Sequence, residues 1–307
     1  MSKALTKTTV APRIGLVLGG GGARGLGHLI VLEVFEELGI RPAAIVGTSI
    51  GAIYGASFAA GLPAKLIRAH TEEILSQRLD LVRQLFIARA EPVQRILSVL
   101  QLKSSLLNPE TLLDLLLPAR VPATFAELSI PLRVVATDFY AQEAVVIGEG
   151  PLRSAVAASM ALPAIFTPVR RDDRVLMDGG LVNPLPFDVL GSEVDVTVAI
   201  DVSGMPRLAE GASGPSAMEA LVASSQIMQR AIVAEKLKSR QPDVYIDVDV
   251  DRFHVLEFHR YKDILAAAEP ARDRLRRQLL RLMGAETVPV EALTAVPERA
   301  AIAPPKA

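Results

Sequence analysis

The sequence has 307 residues, of which 50% are hydrophobic, with a formal net charge of −1 and no cysteine. This composition can supply a sizeable buried core. The near-zero charge argues against a broad nucleic-acid-binding surface, so no nucleic acid is expected as a partner. The absence of cysteine excludes disulfide bonds, thiolate metal sites and cysteine nucleophiles.

Neither a signal peptide nor a membrane-spanning segment is predicted. The residues before Arg13 include Lys3 and Lys7 but no apolar stretch of signal-peptide length. Further along, the apolar runs are too short for a membrane span or are interrupted by Gly, His or Glu. We expect a soluble, cytoplasmic protein, with any membrane contact being peripheral.

Short apolar runs alternate with helical patterns in the first part of the chain. Ile14–Leu18 predicts a buried strand that ends in four glycines, Gly19 to Gly22. Residues 25–39 have the apolar spacing of a helix, and residues 43–46 predict a second buried strand, followed by a helix of small residues. This order favours an α/β fold, a three-layer sandwich whose mostly parallel central sheet is flanked by helices.

Residues 63–117 are leucine-rich and helical in pattern, and Asn108 and Pro109 are typical of a helix N-cap and first helical position. After them we predict strands at 132–137, 144–147, 175–177, 194–200 and 243–248, and helices at 152–161, 216–239 and 261–283. One domain is predicted over residues 13–283, with residues 63–117 as a helical insertion. Residues 1–12 would be an N-terminal extension and residues 284–307 a disordered tail.

Gly47, Ser49 and Gly51 form a Gly-x-Ser-x-Gly motif between the second predicted strand and the helix that follows it. In a nucleophile elbow this context exposes a serine hydroxyl on a sharp turn, and the glycines avoid clashes there. The N-terminus of the following helix favours negative charge near the serine. We interpret Ser49 as a nucleophile, and the alternative is an ordinary turn with Ser49 as N-cap.

The first glycine-rich loop allows three interpretations. Gly20-x-Gly22-x-x-Gly25 fits a dinucleotide-binding fingerprint, which requires an acidic residue at the end of the next strand. That strand ends instead in Gly-Thr-Ser, which argues against a dinucleotide. The preferred interpretation is an anion cradle, in which glycine N–H groups stabilise the oxyanion of an acyl-transfer intermediate. The third is a loop kept rich in glycine for helix packing.

A serine nucleophile needs a base, usually histidine. The four histidines, His28, His70, His254 and His259, lie in helical or polar segments rather than in a loop after a strand. Asp178 follows a predicted strand directly and begins an Asp-Gly-Gly turn that exposes a carboxylate. A partly desolvated carboxylate can accept the seryl proton within hydrogen-bond reach. Asp178 is therefore the candidate base, with a structural Asp-Gly turn as the alternative.

The three motifs occur in the order Gly-Gly-Gly-Gly-Ala-Arg-Gly, Gly-Thr-Ser-Ile-Gly and Asp-Gly-Gly. Together they resemble the signatures of the patatin-like phospholipase family, in particular its bacterial members, over roughly residues 13–203. The resemblance implies a dyad without histidine, in which Ser49 is the nucleophile and Asp178 the base. It also implies an oxyanion hole and supporting motif glycines, which would be Gly20, Gly21, Gly22 and Arg24, and Gly47, Gly51, Gly179 and Gly180, respectively.

The resemblance further implies a serine esterase that cleaves carboxylic esters of phospholipids or lysophospholipids through an acyl-enzyme intermediate, without a metal or other cofactor. Its partner would be a lipid ester, with peripheral contact to a membrane surface. Residues 63–117 could then cap an acyl-chain channel, although ordinary helix packing explains the same pattern. The arginines of the last predicted helix fit either anionic headgroups or a solvated helix face. A non-catalytic lipid-binding or regulatory protein on the same fold is the alternative function.

Overall fold

The computed structural model describes residues 12–77, 107–163, 165–204, 214 and 217–284. Nearly all of the predicted N-terminal extension and of the predicted tail lies outside the described residues. Residues 78–106 of the predicted helical insertion also lie outside them. The two described parts of that insertion are each helical, and Asn108 caps the second, accepting the N–H of Glu110 at 2.8 Å, as predicted.

Eight strands of the described chain form one central sheet. They are β1 (Ile14–Leu18), β2 (Ala44–Thr48), β3 (Leu132–Asp138), β4 (Glu143–Ile147), β5 (Val169–Arg171), β6 (Arg174–Asp178), β7 (Val196–Asp201) and β8 (Val244–Asp247). The order is β5-β6-β3-β2-β1-β7-β8, and β4 also pairs with β3. The strands from β8 to β3 along this order run parallel, whereas β4 and β6 run antiparallel to β3. The predicted mostly parallel sheet is confirmed.

Helices and loops cover both faces of the sheet. The helices are α1 (His28–Glu37), α2 (Ile50–Ala59), α3 (Ala64–Gln77), α4 (Pro109–Leu116), α5 (Leu152–Ser159), α6 (Ala217–Ser239), α7 (Tyr261–Ala268) and α8 (Pro270–Leu282). Side chains alternate between the faces along each strand. Leu16 and Leu18 accordingly belong to the larger core. Val17 packs on the other face with Phe187, which precedes β7, and with Val233 of α6. None of these described helices has the length and hydropathy of a membrane span.

Two elements differ from the prediction. Residues 261–283 form the two helices α7 and α8 instead of one, and the second begins at Pro270. Proline suits a first helical position because its missing N–H would have no partner there. The short strand β5 has no counterpart in the prediction. It joins β6 through Asp172 and Asp173, whose positive φ angles of 49° and 62° are those of a tight hairpin turn.

The arginines of α8 pair with acidic side chains of the same protein. Arg272 contacts Glu33 and Glu37 of α1, and Arg274 contacts Asp249 at 2.8 Å. These contacts tie α8 to α1 and to the chain after β8. The two guanidinium groups are therefore engaged within the fold rather than held ready for a lipid headgroup.

Candidate active site

The end of β2 and the start of α2 form a sharp turn at Ser49. The Ser49 backbone has φ of 56° and ψ of −122°, a conformation that is costly for a residue with a side chain. A Cβ atom at Gly47 would lie 2.6 Å from the Gly51 carbonyl oxygen, and one at Gly51 would lie 2.1 Å from the Leu18 carbonyl oxygen. Gly47 therefore allows the first turn of α2 to lie close against β2, and Gly51 allows it to lie close against the end of β1.

The Ser49 hydroxyl donates a hydrogen bond to Asp178, with 2.7 Å between Oγ and Oδ2. The second carboxylate oxygen, Oδ1, accepts the N–H of Gly180 at 2.7 Å. Both residues line one cavity, and no histidine is found among the described residues around it. His28 is buried and hydrogen-bonds to the glycine loop instead. The structure thus brings the predicted nucleophile and base together without a histidine.

The pairing of β3 explains why these two residues meet. One edge of β3 pairs with β4 over residues 134–138. The opposite edge pairs first with β2, up to Thr48 opposite Val135, and then with β6, from Asp178 opposite Ala136. Because β2 and β6 run in opposite directions, their C-terminal ends face each other along β3. Ser49 is the residue that follows β2, and Asp178 is the last residue of β6.

Burial controls the proton affinity of Asp178. The residue is 4% exposed, and burial raises its pKa to about 6. The hydrogen bonds from Ser49 and Gly180 favour the carboxylate and oppose this rise. At neutral pH the carboxylate predominates, with a higher proton affinity than an exposed aspartate has. Such a group can accept the proton of an attacking serine hydroxyl.

The N–H groups of the glycine loop are not equivalent. The Gly20 N–H donates to the Pro184 carbonyl oxygen at 2.9 Å. The Gly21 and Gly22 N–H groups have no acceptor among the described residues, and both glycines line the cavity with the dyad. The prediction placed the Gly20 N–H in an oxyanion hole. In the structure its hydrogen is already bonded to the Pro184 carbonyl oxygen, so it is not available to an oxyanion. The donors open to a ligand are those of Gly21 and Gly22.

Arg24 is buried on the carbonyl side of this loop. Its Nε donates to the Gly21 carbonyl oxygen and its Nη1 to Gln226 Oε1, both at 3.3 Å. Burial lowers the pKa of Arg24 to about 10, so the guanidinium stays charged at neutral pH. The prediction placed Arg24 near the developing negative charge. In the structure its side chain does not line the cavity, and it contacts the lining through the Gly21 carbonyl oxygen and Gln226.

Two buried hydroxyl groups support the dyad, although neither was predicted to have a part in the site. The Ser159 hydroxyl accepts the N–H of Ser49 at 2.8 Å and donates to the Val135 carbonyl oxygen at 2.6 Å. The Thr48 hydroxyl donates to the Asn183 carbonyl oxygen at 3.0 Å. Thr48 belongs to the Gly-Thr-Ser-Ile-Gly motif and Ser159 to a predicted helix, but local sequence assigns no partner to either hydroxyl. Their partners come from distant segments and meet them only in the assembled sheet.

The dyad lies in the wall of a mostly apolar cavity of about 110 Å³. Leu75 of α3 and Leu112 and Leu116 of α4 form part of this wall, so the described parts of the predicted helical insertion contribute to the site. Gln229 of α6 adds an amide, and Asp178 is the single charged side chain among the described lining residues. A cavity of this composition suits an apolar chain better than a charged ligand.

Known proteins resemble this chain over its motif-bearing part. The family model described as patatin-like phospholipase matches residues 16–190. A Mycobacterium tuberculosis protein, described as an uncharacterized NTE family protein, is 35% identical over 195 residues, covering 63% of this chain and 50% of that protein. The patatin-like phospholipase domain-containing protein 7 of Rattus norvegicus is 28% identical over 284 residues, covering 85% of this chain and 20% of the rat protein.

Among solved structures, VipD from Legionella pneumophila is similar with a TM-score of 0.48 and 15% identity, covering 87% of this chain and 67% of that one. This chain spans half the length of the mycobacterial relative and a fifth of the rat protein. The match to the family model extends over more than half of the chain and includes the glycine loop, the serine turn and the Asp-Gly-Gly turn. The chain therefore belongs to the patatin-like phospholipase family.

Proposed function

We propose that this protein is a serine lipid acyl hydrolase that cleaves carboxylic esters of phospholipids or lysophospholipids. The observation that carries the proposal is the 2.7 Å hydrogen bond between Ser49 Oγ and Asp178 Oδ2 in the wall of an apolar cavity. Membership in the patatin-like phospholipase family supports a lipid as the substrate. The mostly apolar lining supports an acyl chain as the part of the substrate that enters.

In the first step, Ser49 Oγ attacks the ester carbonyl carbon while its proton moves to the Asp178 carboxylate. The carbonyl oxygen becomes an oxyanion, and the N–H groups of Gly21 and Gly22 are the donors that can receive it. The N-terminus of α2, which begins directly after Ser49, adds a favourable dipole. Collapse of this intermediate breaks the bond to the alcohol, which takes the proton from Asp178 and leaves.

In the second step, Asp178 takes a proton from a water molecule, and the resulting hydroxide attacks the acyl group on Ser49. The oxyanion forms again and collapses, this time with Ser49 Oγ as the leaving group. Asp178 returns the proton to Ser49 Oγ, and a free fatty acid is released. One base therefore serves both half-reactions, since its protonated form is the acid that each collapse needs.

The test compares the wild-type protein with Ser49→Ala, Asp178→Asn and the control Ser57→Ala. Ser57 is a buried serine of α2 whose hydroxyl donates to the Ile53 carbonyl oxygen at 3.0 Å and does not line the cavity. Hydrolysis of a medium-chain p-nitrophenyl ester and of a lysophosphatidylcholine is measured. The dyad variants are expected to lose on the order of 10³-fold or more in kcat, and the control roughly none.

Covalent labelling with a fluorophosphonate reports directly on the nucleophile. The label is expected on Ser49 of the wild-type protein and to be missing from Ser49→Ala. Near-wild-type hydrolysis by either folded dyad variant would contradict the assigned roles. A folded wild-type protein that neither hydrolyses these esters nor takes up the label would contradict catalysis and favour a lipid-binding protein.

A further inference from the structure

The backbone of residues 183–185 joins the three loops that form the site. The Gly20 N–H of the glycine loop donates to the Pro184 carbonyl oxygen at 2.9 Å. The hydroxyl of Thr48, the residue before the nucleophile, donates to the Asn183 carbonyl oxygen at 3.0 Å. The Asn183 N–H donates to the Gly179 carbonyl oxygen of the Asp-Gly-Gly turn at 2.8 Å. One short segment therefore sets the positions of the oxyanion donors, the nucleophile and the base relative to each other.

Lys236 of α6 anchors this segment. Its ammonium group donates to Asn183 Oδ1 at 2.6 Å, to the Leu185 carbonyl oxygen at 2.9 Å and to Asp188 Oδ1. An ammonium group has three N–H donors, and all three have an acceptor here. Asn183 Nδ2 also donates to Asp188 Oδ1, at 3.1 Å. The Asn183 amide, the Asp188 carboxylate and the Lys236 ammonium group are therefore all hydrogen-bonded to one another. The Lys236 Nζ lies 4.6 Å from the ring centroid of Phe187, which adds a cation–π contact.

Lys236 does not line the cavity, so it cannot touch an acyl chain held there. We propose that Lys236 is a positioning residue for the Ser49–Asp178 dyad, which acts through residues 183–185. This inference rests on the proposed function, because it assigns Lys236 a part in the chemistry of that dyad.

Loss of the Lys236 ammonium group is expected to disturb the dyad, because acceptors in residues 183–188 would lose their donor. A methionine at position 236 would keep the aliphatic length but would leave Asn183 Oδ1 and the Leu185 carbonyl oxygen without their donor, and Asp188 without its cation. The segment would then be free to shift, and the three loops bound to it would shift with it. A displacement of about 1 Å between reacting groups can lower a rate about 10²-fold.

The experiment measures kcat and KM for a p-nitrophenyl ester in Lys236→Met, Asn183→Ala and the double variant. Lys238→Met is the matched control, since Lys238 is an exposed lysine of the same helix that pairs only with Glu235 among the described residues. Lys236→Met is expected to lower kcat roughly 10- to 100-fold with KM nearly unchanged, and to slow fluorophosphonate labelling of Ser49 by a similar factor. The control is expected to match the wild type.

Because Lys236 and Asn183 belong to one shared group of hydrogen bonds, the double variant is expected to lose little more than the worse single variant. Rates are expressed per folded molecule, with the folded fraction taken from thermal unfolding. A wild-type kcat in folded Lys236→Met would overturn the proposal. So would a loss of rate that merely follows the unfolded fraction, or two losses that multiply in the double variant.

Lys236→Gln covers the case in which Lys236→Met does not fold, since glutamine retains an N–H donor. It is expected to lower kcat severalfold at constant KM, and wild-type kcat in this variant also overturns the proposal. The Ser49→Ala variant distinguishes failure of the positioning role of Lys236 from failure of the proposed dyad. If Ser49→Ala is inactive and Lys236→Met is not impaired, only the positioning role fails. If Ser49→Ala remains active, the dyad itself is wrong.

Discussion

The Nε2 atom of His28 lies 2.8 Å from the carbonyl oxygen of Gly19, where the glycine loop begins. Nδ1 of the same ring is buried without a partner among the described residues. Since a carbonyl oxygen only accepts, Nε2 must carry the hydrogen and donate it. Burial lowers the pKa of His28 to about 4, so the ring is neutral at physiological pH. His28 therefore holds the loop as a neutral donor and does not act as a base.

Replacing His28 tests this role through stability. His28→Leu leaves the buried Gly19 carbonyl oxygen without its donor, which is expected to lower the free energy of unfolding by about 1–3 kcal/mol. His28→Gln retains a donor and is expected to lose less. The measurement is urea unfolding, with His259→Leu, a change at an exposed position, as the control. Equal stabilities of the Leu and Gln variants would argue against the hydrogen bond.

Ser159→Ala removes the acceptor for the Ser49 N–H. The backbone of Ser49 has a positive φ, a conformation that persists only where surrounding contacts impose it. We expect kcat to fall about tenfold, because the serine hydroxyl loses part of its fixed position. The same esters are used, with Ser57→Ala as control. A variant that folds and turns over at the wild-type rate would show that the turn holds itself without Ser159.

The pH dependence of kcat/KM should report the ionisation of Asp178. Burial raises the pKa of this carboxyl to about 6, and only the carboxylate can accept a proton. The rate is therefore expected to rise with pH through a midpoint near 6 and to level off above it. Initial rates with an ester that does not ionise give the profile. A midpoint near the 3.8 of an unperturbed aspartate would contradict the assignment.

The same ionisation links Asp178 to stability. Its pKa is about 6 in the folded protein and 3.8 in the unfolded chain, so the folded state binds the proton more tightly. The resulting stabilisation is fully present below the lower value and is lost as pH rises through about 6. At pH 7.5 the neutral Asp178→Asn is expected to be more stable than wild type by up to about 3 kcal/mol. Thermal unfolding should show this advantage shrinking towards pH 4.

The bulk of the cavity wall should set the length of acyl chain that is accepted. Leu112 is buried and lines the cavity, so Leu112→Phe fills space that a long chain would occupy. We expect kcat/KM for long-chain esters to fall about tenfold or more, while short-chain esters are nearly unaffected. Thr111→Phe places the same ring at an exposed position of α4 and is the control. An equal loss for all chain lengths would mean that Leu112 supports the fold rather than the acyl site.

Local patterns predicted most elements of the fold. β1 begins and ends at the predicted residues, and the cap at Asn108 is formed as predicted, because apolar runs and capping residues act over a few positions. The break between α7 and α8 was not predicted, since apolar spacing continues across Pro270. β5 was not predicted either, because three residues that include two arginines give no strand signal.

The residues of the site likewise divide into those that local sequence predicts and those that it does not. Ser49 could be singled out from its own turn, whereas Asp178 required the failure of every histidine and a family resemblance. The engagement of the Gly20 N–H by Pro184 could not be read from the glycines themselves, because the acceptor lies far along the chain. The roles of Ser159 and Lys236 were not predicted, for the same reason. Their importance depends on contacts that exist only after the sheet has formed.

Because β2 and β6 meet along one edge of β3, the dyad forms only when β6 pairs with β3 in the correct register. Thr48 and Asp178 lie opposite the consecutive residues Val135 and Ala136, and β6 has only three residues paired with β3. A slip of β6 by one position would move Asp178 by about 3.4 Å and turn its side chain to the other face of the sheet. During refolding, recovered hydrolysis would therefore count molecules in which this short pairing is correct, even where overall compactness and helix content are already regained.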